Sequence, residues 1–127
     1  MKIQNEQFGE IEFEKETTIN FEAGILGFEE LREFLLVSEK DGFFFWLISI
    51  DQPEIIFPLF SVKLLQDEYQ NQDDLEPYGI VNLDKDPKNI SINLKAPVLI
   101  NHQDKLGYQK IIDNEEYPID YPLFINN

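Results

Sequence analysis

Ile11 and Phe13 alternate with Glu10, Glu12 and Glu14. That period of two, repeated in short stretches along the whole chain, leaves few folds open. Such alternation puts the apolar side chains on one face of a pleated strand. Thr17–Phe21 repeats it with Ile19 and Phe21 on one side. Further strand-like runs cover Lys2–Phe8, Glu33–Glu39, Phe43–Asp51, Glu54–Phe60, Gly79–Leu83, Asn89–Leu94, Val98–Asn101 and Tyr108–Asp113. Residue choice agrees: there are sixteen Ile and 11 Phe but only two Ala, and β-branched and aromatic side chains suit a sheet better than a helix. Many short strands separated by turn signals predict an all-β fold. The expectation is a compact antiparallel β-barrel-like single domain over residues 1–127, with at most short helical turns.

The punctuation refines this. Gly9 separates the first two strands, and Gly24 and Gly27 bracket a tight turn at Ile25-Leu26. Phe28–Arg32 reads as one helical turn. Lys40-Asp41-Gly42 is a hairpin signal, and Phe43–Ile48 is apolar on both faces, as in a central strand. Pro58 and Pro97 each remove a ladder donor and so predict sheet edges or bulges. Asp67–Pro77 is polar and acidic, either a loop or a turn of helix at Asp73–Glu76. Asp84–Lys88 and Asp104–Gly107 are turns. Tyr117–Phe124, carrying Pro118 and Pro122, is expected to lie extended against the body.

Charge removes whole classes of function. The chain has 25 Asp+Glu against 10 Lys+Arg, a net charge of −15. Nucleic-acid phosphate and anionic lipid both require a basic footprint, so neither is expected as a direct partner, whereas a basic protein is. Residues 1–63 carry −8 and residues 64–127 carry −7. The acidity is therefore not a tail, and any functional patch must be assembled by folding. The absence of cysteine excludes disulfides, thiolate zinc sites and cysteine nucleophiles. Glu6, Glu10, Glu12, Glu14 and Glu16 leave no room for a signal-peptide apolar region. The longest apolar run, Phe43–Ile48, is far short of a membrane span of ~20 residues. The expectation is a cytoplasmic protein.

Site chemistry is sparse. His102, the single histidine, precedes a turn with no Ser or Thr beside it, which favours a loop role over general-base work. So many carboxylates on a small surface meet by chance, so proximity alone does not identify a glycosidase-type pair. Asp84, Asp86 and Asn89 resemble part of a calcium loop, but Lys88 takes the third ligand position and no Glu follows. Gly24-Ile25-Leu26-Gly27 lacks the further Gly and the Lys of a phosphate loop. Trp46 and Phe43–Phe45 have no interleaved Lys or Arg, so they read as core rather than as a base-stacking platform. These residues point to a binding module with no catalytic residues, no metal and no cofactor. A small acidic β-domain acting as a carboxylate-dependent hydrolase or a carbohydrate-binding module stays open as the alternative.

Five segments in order then carry a resemblance. They are Met1-Lys2-Ile3-Gln4 with Phe8-Gly9-Glu10-Ile11; Gly24-Ile25-Leu26-Gly27-Phe28-Glu29; and Phe44-Phe45-Trp46-Leu47 with Ser49, Asp51, Pro53 and Phe57-Pro58. Asn93-Leu94-Lys95-Ala96-Pro97 with Ile100-Asn101 follows, and Tyr117-Pro118 with Tyr121-Pro122-Leu123-Phe124 closes the chain. Together they resemble the bacterial flagellar assembly factor FliW family from end to end. The resemblance implies a non-catalytic β-barrel-like protein with two partners. One is flagellin, bound in the cytoplasm before export; the other is CsrA, a small basic regulator that represses translation of flagellin mRNA. Free FliW antagonises CsrA, and accumulating flagellin titrates FliW away. The middle of the chain departs from the pattern, being shorter between the strand expected to end near Tyr69 and Asp86-Pro87. Candidate partner-binding residues lie at strand ends or breaks, where binding residues concentrate: Phe28, Glu29, Glu30, Asp51, Pro53, Lys95 and Pro97. The free protein is expected to be a monomer.

Overall fold

The structure is a computed structural model that describes residues 1–38, 44–65 and 74–123. The Lys40-Asp41-Gly42 turn, Phe43, Tyr69, Asp73 and Phe124 lie outside them. The described residues form ten strands: β1 (Lys2–Asn5), β2 (Gly9–Glu12), β3 (Ile19–Asn20), β4 (Glu33–Ser38), β5 (Phe44–Ser49), β6 (Ile56–Ser61), β7 (Glu76–Asn82), β8 (Ser91–Asn101), β9 (Leu106–Gln109) and β10 (Tyr121–Pro122). Helical structure among the described residues is limited to single 3-10 turns at Lys15–Thr17, Val62–Leu64 and Pro87–Asn89. The strand of Phe57-Pro58 ends at Ser61, well before Tyr69.

Strands β3 to β9 close on themselves. The ladder runs β8-β7-β6-β5-β4-β3-β9, and β9 pairs back onto β8 to complete a seven-stranded barrel. All pairings are antiparallel except one: β3 meets β9 in parallel through Asn20↔Leu106. That parallel contact is the exception in a barrel that is otherwise antiparallel, as expected, and the two-residue β3 is the thinnest part of the wall. Inside the barrel lie Ile19, Phe21, Ile25, Leu31, Phe34, Leu47, Leu59, Tyr78, Val98 and Ile100, all nearly inaccessible. A barrel of this size is filled by side chains rather than hollow.

Two outer faces are also covered. The β1–β2 hairpin lies over β4 and β5, burying Ile3 and Phe13 against Leu35, Trp46 and Ile48. On another side the C-terminal segment brings Ile112, Tyr117, Tyr121 and Leu123 against Val62, Val81, Ile92 and Leu94. This explains β5, which is apolar at every position but its last: Phe45 and Leu47 face the barrel interior while Trp46 and Ile48 face the hairpin.

Neither proline lies at a sheet edge, and only Pro97 meets the bulge expectation. Pro58 sits in β6, between β5 and β7, not at an edge. It is tolerated because Trp46↔Pro58 belongs to the pairs that exchange no hydrogen bond, and the β6–β7 ladder stops at Leu59↔Ile80, one residue short of it. Pro97 is buried within β8, flanked by β7 and β9. It does break the ladder. Tyr78 pairs with Val98 and Ile80 with Asn93, so Gly79 alone opposes Leu94–Pro97. Phe28–Arg32 is also not helical. It is a pair of tight turns, closed by Phe28 N–H to Ile25 O at 2.7 Å and Leu31 N–H to Phe28 O at 3.0 Å.

Candidate functional site

The loop 21–32 enters β4 through Gly24 and Gly27, whose φ values of +70° and +87° favour glycine. Gly24 is also pressed by the chain itself: a Cβ there would lie 2.5 Å from Glu29 Cα. These turns present Glu29 and Glu30 to solvent. They also lay the half-buried Phe28 ring edge-on against Phe57, with centroids 5.2 Å apart. The Glu29 carboxylate accepts the Gly27 N–H at 3.1 Å.

The loop 50–55 leaves the same end of the barrel, because Phe34↔Ser49 and Ile48↔Ile56 place the start of β4, the end of β5 and the start of β6 together. It holds Asp51, exposed, and Pro53, half-buried. Residues 21–33 and 50–55 contribute Glu22, Glu29, Glu30, Glu33, Asp51 and Glu54, with Arg32 as their one base. One end of the barrel is therefore strongly acidic.

Lys95 and Pro97 belong to the β8 bulge on the neighbouring wall. Asn93 shapes the bulge: its carboxamide oxygen accepts the N–H groups of Lys95 (2.9 Å) and Ala96 (3.0 Å). Lys95 is half-buried and Pro97 buried, so Pro97 shapes the wall and offers little surface. The structure thus brings Phe28, Glu29, Glu30, Asp51 and Pro53 to one end. Lys95 and Pro97 lie on a wall tied to that end by Gln109.

Sequence reasoning missed two organising residues. Gln109 accepts from Leu26 N–H at 2.8 Å and donates to Ala96 O at 3.1 Å, joining the 21–32 loop to the bulge. Asn5, only 3% exposed, donates to Pro53 O at 2.6 Å and accepts from Gln7 and Phe8 N–H at 2.7 and 3.0 Å. It pins the 50–55 loop to the hairpin. Both are polar residues amid strand patterns, and a side chain that reaches 48 or 83 residues along the chain leaves no local signal.

The opposite end carries a different cluster. Tyr78 Oη lies 3.1 Å from Glu76 Oε2 and 3.0 Å from His102 Nε2, and His102 lies 3.0 Å from the same Glu76 oxygen. Burial, then the Glu76 charge, then its hydrogen bond push the Tyr78 hydroxyl well above its usual range. His102 is thus a structural partner here rather than an isolated loop residue. Among the described residues no group of acidic or histidine side chains is placed to hold a metal ion, and no helix is long and apolar enough to cross a membrane.

Residues 2–123 match the model of the FliW protein family. The chain belongs to the FliW family. It is 37% identical to the flagellar assembly factor FliW of Caldicellulosiruptor saccharolyticus, an alignment covering 98% of this chain and 91% of that one. It is 34% identical to the flagellar assembly factor FliW of Clostridium tetani, over 98% and 96%. These alignments span 138 and 139 positions, more than the 127 residues here, so FliW relatives carry residues that this chain does without. A crystal structure of the flagellar assembly factor FliW superposes with a TM-score of 0.86 at 29% identity, covering 98% of each chain. The FliW barrel described above is therefore the family fold.

Proposed function

We propose that this chain is a non-enzymatic cytoplasmic flagellar assembly factor that binds flagellin and antagonises CsrA, coupling flagellin synthesis to filament assembly. The observation that carries this is the FliW match over residues 2–123. The acidic barrel end supports the CsrA half. A protein that binds RNA presents basic surface to phosphate, and an acidic patch is complementary to that surface and steers association. Carboxylates held beside an RNA site also repel the phosphate backbone. Phe28, Glu29, Glu30, Asp51 and Pro53 are the proposed contacts, Lys95 extends them along the bulged wall, and the buried Pro97 acts only by shaping that wall.

The test measures binding to purified flagellin and to purified CsrA separately. Both should bind. Glu29→Ala, Glu30→Ala and Asp51→Ala combined should weaken at least one partner tenfold or more. Failure to bind either partner removes the reading, and a triple variant with both affinities intact removes the assignment of this end.

A further inference from the structure

The barrel has a seam. β3 pairs with β4 only at Ile19↔Phe34 and Asn20↔Glu33, then gives way to the turn at Lys15–Thr17. Successive residues of β4 point their backbone groups to opposite neighbours. Glu33 O accepts from Ile50 N–H at 3.0 Å on the β5 side, and Arg32 O accepts from Phe21 N–H at 2.7 Å on the β3 side. By that parity the N–H and C=O of Leu36 and Ser38 face the place where β3 would continue, and no strand pairs there among the described residues.

A groove of about 540 Å³ opens along this edge. Its walls are Ile11 and Phe13 from the hairpin side, Ile19, and Leu35–Val37 of β4. Its rim carries Glu12, Glu14, Thr17, His102 and Lys105. Glu12 is shared with Lys2 at 3.7 Å, while Glu14 has no ion pair among the described residues. Backbone donors and acceptors with no strand partner among the described residues, beside apolar walls, are what an added strand requires.

We propose that this seam binds an extended peptide segment of another protein, lysine- or arginine-bearing and alternating with β-branched residues, as an extra strand on β4. Backbone groups of Leu36 and Ser38 supply the ladder, the apolar walls take the β-branched face of the added strand, and its cationic face turns to the rim and solvent. Glu14 and Lys105 oppose one another on the rim and Glu12 is shared with Lys2, so the sign comes from the net charge of −15: it favours a cationic segment and disfavours a second copy of this chain. The site is at the opposite end of β4 from the acidic loops, so it stands whichever proteins those loops bind.

The experiment titrates the full isotope-labelled chain with a capped seven-residue peptide of alternating lysine and valine, read by amide shifts and hydrogen exchange. A glutamate–valine peptide is the control. Saturable binding that shifts and protects the Leu36 and Ser38 amides is expected, with the control at least tenfold weaker. Ser38→Pro removes a donor that the β5 ladder does not use. It should abolish binding with little change in melting temperature, while Ser38→Ala leaves binding intact. Glu14→Lys, at an exposed site, should weaken it several-fold. No binding, shifts confined to the acidic loops, equal binding of both peptides, or concentration-dependent dimerisation through this edge would each overturn the proposal. None of these outcomes bears on whether flagellin or CsrA binds.

Discussion

Asn5 shows how one side chain can set the relation between two elements. Three hydrogen bonds satisfy it inside the protein, and truncation strands two N–H groups and the Pro53 carbonyl. Asn5→Ala should cost about 1–3 kcal/mol in urea unfolding, with the Gln7 and Phe8 amides exchanging faster. Gly107 is the packing counterpart, because any Cβ there runs into the Phe21 ring, itself fully buried. Gly107→Ala should lose about 1–3 kcal/mol through overpacking, which the same unfolding measurement reads. Tyr78 adds a pH dependence with a definite sign. Its hydroxyl is held protonated in the folded state by burial and by Glu76. Stability is therefore intact below a pH of about 10, where an unfolded tyrosine begins to ionise, and falls as pH rises beyond it. Urea midpoints at pH 9 and pH 11 should show that fall, and Tyr78→Phe should remove Tyr78's share of it.

Among the elements, those with local patterns were legible. Ile11 and Phe13 alternate because β2 rests one face on the barrel, and β5 is apolar throughout because both its faces are covered. Pro58 and Pro97 misled as edge markers because a missing donor matters only on the side where a neighbour bonds, and strand parity and register decide that side. β8 hides the most: Asn89–Leu94 and Val98–Asn101 read as two runs but form one strand around a bulge that needs Asn93 to hold it. Asn93→Ala leaves the Lys95 and Ala96 N–H groups without that acceptor. It should destabilise by about 1–2 kcal/mol, with faster exchange at those two amides. The candidate site was legible in its loops, Phe28–Glu30 and Asp51–Pro53. Its coupling to the bulge through Gln109 was not, since Leu26 and Gln109 lie 83 residues apart.

For the whole molecule, the charge that first excluded phosphate and lipid has gained a location: a cluster of carboxylates at one barrel end, with Arg32 as the one base in those loops. If that end meets a basic protein, association must be screened by salt, because exposed charges more than about 10 Å apart are largely screened from one another at 0.1 M ionic strength. The CsrA association rate should fall at least tenfold between 20 mM and 500 mM salt, measured by stopped-flow mixing. The central claim is regulatory, so its most direct test is a reconstituted translation reaction in which CsrA represses a flagellin message. Adding this chain should restore synthesis, and adding excess flagellin should then repress it again. Synthesis that stays repressed when the chain is added in excess over CsrA would contradict the account.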